Sequence, residues 1–154
     1  MKLRSLLLAG FTTLALSGAA FAGNTAVVVQ SGGYNSSSVA QSGTRNSVQS
    51  YQFGGTNLSS IRQSGRVNDA GVLQVGGFNG SNVSQRGGVN NLNSAQIGGV
   101  NVSNVGQRGF SNTAAIGQAG ALNISSATQR GPNNAIGVGQ FGGANFSTIG
   151  QFRR

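Results

Sequence analysis

The chain has 154 residues and a net charge of +9 from ten Lys and Arg against one acid; only 7% of residues are charged, 27 are Gly, one is Pro, and Cys, His and Trp are absent. Without Cys or His the usual zinc, haem and iron–sulfur sites cannot be built, the single acid Asp69 cannot form a paired-carboxylate centre, and the many serines have no His to activate them. The composition therefore argues against an enzyme and calls for no cofactor and no metal.

Residues 1–22 read as a cleaved export signal. Lys2 and Arg4 supply a short positive start, Leu6 to Phe11 and Leu14 to Leu16 an apolar run, and Ala20-Phe21-Ala22 a small-residue cleavage site. Thr12, Thr13 and Ser17 interrupt the run, which is short for a membrane span. The mature chain would start at Gly23, with eight Arg and Asp69 leaving it at +7. It would work outside the inner membrane with no disulfide to staple it.

Residues 23–154 number 132, twelve units of eleven. Gln stands at every eleventh position: Gln30, Gln41, Gln52, Gln63, Gln74, Gln85, Gln96, Gln107, Gln118, Gln129, Gln140 and Gln151. Asn does the same: Asn24, Asn35, Asn46, Asn57, Asn68, Asn79, Asn90, Asn101, Asn112, Asn123, Asn134 and Asn145. Gly follows two residues after the first eleven of these Gln, and only Gln49 is out of register. A fixed short period is the mark of a stacked architecture. Two residues after Asn, Ser (37, 59, 81, 103, 125, 147) alternates with Ala, Val, Leu or Ile (26, 48, 70, 92, 114, 136), so the structural repeat is 22 residues in two unlike halves.

From Asn to Gln each half reads as a seven-residue strand, about 20 Å long, and the following x-Gly-x-x as a turn. Pro132 falls in such a turn. Helix is disfavoured, because Gly, Asn, Ser and Val are poor helix formers and no 3.6-residue stripe persists. Alternation places Asn, the residues two and four later, and Gln on one side of the strand. The fourth-later column is Val or Ile in nine of twelve units, which makes that side the interior. The carboxamides are then interior too, and in a solenoid residues 22 apart, such as Gln41 and Gln63, pair in ladders along the axis. The expected fold is an all-β, parallel two-sheet β-solenoid of six rungs. Its register runs from Asn24 to Gln151 with no capping segment, and bare strand edges template further strands.

The unit Asn-x-Ala/Ser-x3-Gln-x-Gly-x-x resembles the repeat of curlins, the subunits of bacterial curli fibres. Asn24 to Gln30 and Asn112 to Gly120 carry it plainly, and the resemblance spans the mature chain. It implies a secreted, self-assembling amyloid subunit of adhesive and biofilm-forming surface fibres. Such a subunit passes the periplasm and an outer-membrane secretion pore with its accessories, and partners another curlin that nucleates it or is nucleated by it. The major-subunit role is favoured over the nucleating one. Two features depart from the family: Asn, where the major subunit usually has Ser, opens both half-repeats, and Asn24 leaves no room for the Gly- and Asn-rich secretion segment.

Other motifs weigh less. Sequons such as Asn35-Ser36-Ser37 are by-products of the repeat, the calcium-binding β-roll lacks its Asp ladder, and the column after Asn is not the regular Thr row of an ice-binding face. Arg86, Arg108 and Arg130 are 22 apart and should form an exposed column near Arg62 and Arg66. Such a column reads first as charge that restrains lateral aggregation, and second as a basic stripe for extracellular DNA or acidic polysaccharide. The competing class is thus a monomeric solenoid adhesin that binds polyanions.

Overall fold

The computed structural model describes residues 12–16 and 23–153. The chain is a parallel β-solenoid of about six turns. Its strands are β1 (Thr12–Leu16), β2 (Thr25–Ser31), β3 (Tyr34–Gly109), β4 (Asn112–Arg130), β5 (Ala135–Phe141) and β6 (Ala144–Phe152). All pairings between them are parallel. From Thr25 onward partners stand 22 residues apart, as in Thr25↔Ser47, Asn90↔Asn112 and Leu122↔Ala144. The two halves of each rung form two facing sheets: Ser94 Oγ of one lies 3.5 Å from Ser103 Oγ of the other.

The turns differ from a strand-then-turn reading. β3 runs 76 residues without a break, because the corner residues also pair between rungs, as Gly98↔Gly120 and Val100↔Leu122 do. Where regular pairing lapses, at Ser111 (φ 61°) and Asn133 (φ 53°), the corners stay bonded: the Asn133 amide donates to the Phe110 carbonyl at 2.9 Å. The glycine after each Gln explains itself here. A Cβ on Gly32 would sit 1.5 Å from the carbonyl oxygen of Gly54, and one on Gly43 1.8 Å from that of Gly65. Corners stacked at rung spacing leave no volume for a side chain pointing along the axis.

The interior is thin. Ala26, Val28, Val39, Val48, Ile61, Leu92 and their equivalents are buried, and so are the serines of the Ser halves up to Ser125. Adjacent rungs trade volume. Ala26 goes with Val28, Val48 with Ser50, Ala70 with Val72, Leu92 with Ser94 and Ala114 with Ile116. A large residue at one of the two positions thus meets a smaller one at the other, as close-packed interiors require. The last rung, Ile136 with Val138, departs from this alternation.

Of the leader expected over residues 1–22, only Thr12–Leu16 lies within the described residues. This segment lies parallel along Asn35–Val39, with Thr12 opposite Asn35. Its offset is 23 residues, outside the 22-residue register of the repeat, as for an extended segment recruited by an unpaired strand edge. It covers residues 35–39 of an edge that the repeat alone leaves bare.

Candidate functional site

The strands turn every repeat carboxamide inward, and hydrogen bonds connect them in four columns. In the Gln columns each Nε2 donates to the Oε1 of the Gln one rung later, from Gln30 to Gln52 at 2.7 Å through Gln118 to Gln140 at 2.6 Å, with a longer last link, Gln129 to Gln151, at 3.3 Å. In the Asn columns each Nδ2 donates to the Oδ1 one rung earlier, as in Asn68 to Asn46 at 2.7 Å and Asn145 to Asn123 at 2.8 Å. The Gln ladders therefore donate toward the C-terminal end of the solenoid, and the Asn ladders toward the N-terminal end.

The second N–H of each Gln from Gln30 to Gln140 has a separate task. Gln30, Gln52, Gln74, Gln96, Gln118 and Gln140 donate to the backbone carbonyl six residues on, across one corner (Gln74 to Gly80 at 2.9 Å). Gln41, Gln63, Gln85, Gln107 and Gln129 donate to the carbonyl sixteen residues back, across the other (Gln85 to Asp69 at 2.8 Å). The glutamines thus clip the two sheets together at both edges. The asparagines that open the Ser halves from Asn57 onward brace the corners: Asn101 also reaches the Val75 carbonyl at 3.1 Å and that of Gly98 at 3.4 Å, whereas Asn68, Asn90 and Asn112 donate only along the ladder. All twelve Asn and ten of the Gln are buried, while Gln140 and Gln151 in the last rung are half-buried. An amide buried without partners would cost about 1–3 kcal/mol, and the ladders remove that cost at every internal rung.

The ends do not share this satisfaction. In the first rung the Gln30 Oε1 and the Asn24 Nδ2 are buried without partners. In the last rung the opposite groups stand open: among the described residues the Gln151 Nε2 makes no hydrogen bond and the Oδ1 atoms of Asn134 and Asn145 accept none. One end offers a Gln acceptor and an Asn donor, and the other end a Gln donor and Asn acceptors.

The flanks are chemically unlike. Arg86, Arg108 and Arg130 are exposed at the corner that follows the Ser halves, with Arg108 opposite Arg130 in register. Arg45, Arg62, Arg66 and Arg153 are exposed at or beside that corner, and Arg62 Nη1 donates to Ser60 Oγ at 3.1 Å. The other corner carries Phe53, Val75, Ile97 and Phe141 in one column. The periodicity gave the columns, but the direction of the ladders and the sheet-to-sheet clips had no signal in it, since they depend on how each amide is turned. No known protein-family model matches the chain, and neither does any curated protein or solved structure.

Proposed function

We propose that this chain is a structural subunit of a curli-type fibre, secreted to the bacterial surface, with no active site, that stacks head to tail on copies of itself. The observation that carries this reading is the complementarity of the two ends. Counting on by 22 from the last rung leads to the first rung of a following copy: Gln140 to Gln30, Gln151 to Gln41, Asn134 to Asn24 and Asn145 to Asn35. In that arrangement each open donor meets an open acceptor. Only head-to-tail contact also keeps the strands parallel, with Gln on Gln and Asn on Asn at the 22-residue register; like ends in contact would turn the strands antiparallel and set Gln against Asn. The asymmetric, self-complementary contact does not close, so it propagates as a filament.

The same reading assigns the fibre to adhesion and biofilm matrix, in the major rather than the nucleating role, with a second curlin subunit and the outer-membrane secretion pore and accessories as partners. The exposed arginine column favours one further reading, a monomeric adhesin that holds extracellular DNA or acidic polysaccharide. Dilution of the chain starting at Gly23 from denaturant separates the two. The fibre subunit converts after a lag to thioflavin-positive, sedimenting material, and fragments of that material remove the lag. A stable monomer at every concentration, with polyanion affinity intact, would establish the adhesin instead.

A further inference from the structure

We propose that the corner formed by Phe53, Val75, Ile97 and Phe141 is a lateral seam at which two stacks of this chain pair edge to edge, with their arginine corners facing outward. The proposal rests on the fibre reading above, and names a contact that the stacking does not itself require.

Charge segregation selects the partner. Every charged residue from Gly23 to Arg153 lies at the opposite corner or on the strand positions beside it. Two stacks of net positive charge repel most when their arginine corners meet. A solenoid about 20 Å across sets those corners well over a Debye length of about 8 Å apart when the other corners meet. An anionic membrane or polyanion would be drawn to the arginine corner and not to this one.

The apolar side chains are gathered where charge is absent. Of the fifteen large apolar residues that stand exposed, eleven lie on this corner or on the strand positions flanking it. Ile97 is 54% and Phe141 85% exposed, although aliphatic and aromatic side chains were free to be Ser or Asn as elsewhere on the outer faces. Stacking joins these side chains into a continuous ridge at rung spacing, and the surface that repeats at the same spacing is another stack of this chain. The ridge also has relief: the small residues Ser31 and Ala119 leave notches on either side of the large ones.

The chain contains no Cys, so single cysteines report on the seam cleanly. Along one stack the same residue recurs every six rungs, about 29 Å at a cross-β spacing of about 4.8 Å, far beyond disulfide reach. Fibres grown from Val75→Cys and Ile97→Cys chains, separately and mixed, should give covalent dimers on oxidation. Fibres of Ser64→Cys, on the arginine corner, should stay monomeric on a denaturing gel. Mass per length of the unaltered fibre should correspond to two stacks, and Phe53→Ser with Phe141→Ser should halve it while thioflavin-positive growth persists. Single-stack mass for the unaltered chain, or dimers equally abundant at Ser64→Cys, would overturn the seam and leave the fibre reading standing. Absence of any sedimenting fibre would overturn both.

Discussion

At the scale of single residues, each internal Gln makes two kinds of bond, a ladder bond and a clip to a backbone carbonyl, and removing one orphans groups on both neighbouring rungs. Gln74→Ala would leave the Gln52 Nε2, the Gln96 Oε1 and the Gly80 carbonyl without their partner. The expected loss is about 2–5 kcal/mol, the sum of buried groups left unsatisfied. Gln49→Ala, on an exposed outward position, should change stability by less than about 0.5 kcal/mol; denaturant melts of the monomer under fibre-free conditions check the pair. Ala at Gln41 or Gln140, in the end rungs, should slow elongation, while Gln49→Ala leaves it unchanged. Equal effects at all three would refute the ladder as the docking device. The turn glycines give a sharper separation of folding from growth. A Cβ on Gly120 would stand 1.8 Å from the Gly142 carbonyl, whereas one on Gly142 meets only Asn145 Oδ1 at 3.5 Å. Gly120→Ala should therefore damage the monomer. Gly142→Ala should cost the monomer less, the strain of a positive φ (147°) without the backbone clash, but block addition of a following copy, whose Gly32 carbonyl would take the place the new methyl needs. A Gly142→Ala chain that elongates at the normal rate would contradict head-to-tail continuation of the rungs.

At the scale of the rung, the sequence made the fold legible because two periods coincide: two residues for the faces of a strand and 22 for the stack. Val39, Ile61 and Val83 mark the interior without ambiguity, and the Asn and Gln columns follow from them. The corners were less legible. Gly-rich tetrapeptides read locally as turns, yet their backbone groups join the same inter-rung ladder, a property of the stack and not of any one corner. Ladder direction was illegible for the same reason: Gln and Asn carry donor and acceptor on one planar group, and only the packed rung decides which way it turns. The exchange of volume within rungs was present in the sequence but appears only when the second and fourth columns are read together. It predicts that Leu92→Ala, which empties part of its rung, costs about 2–4 kcal/mol as a buried truncation. The double variant Leu92→Ala, Ser94→Val reproduces the Ala70–Val72 pairing and should recover more than half of that loss. A double variant no more stable than Leu92→Ala would show that the alternation does not hold the packing.

At the scale of the whole molecule, the solenoid has chemically distinct directions: complementary ends, an arginine corner and an apolar corner. Stacked like charges oppose rung addition, and salt screens them. Growth should therefore quicken from low to moderate ionic strength. Replacing Arg86, Arg108 and Arg130 together by Ser, the residue at positions 42 and 64 of the same column, should shorten the lag and flatten that salt response, as read by thioflavin kinetics. If the column serves a polyanion, the same variant should also lose salt-sensitive binding to DNA or acidic polysaccharide. In the proposed fibre the rungs of one copy continue into the next without a change of register. X-ray diffraction from aligned, sedimented chain starting at Gly23 tests it most directly. Continuous stacking should give a meridional reflection at about 4.7–4.8 Å from stacked strands, accompanied by a six-rung axial repeat near 29 Å. Chain that stays soluble and monomeric at every concentration, or sediments without the meridional reflection, would contradict it.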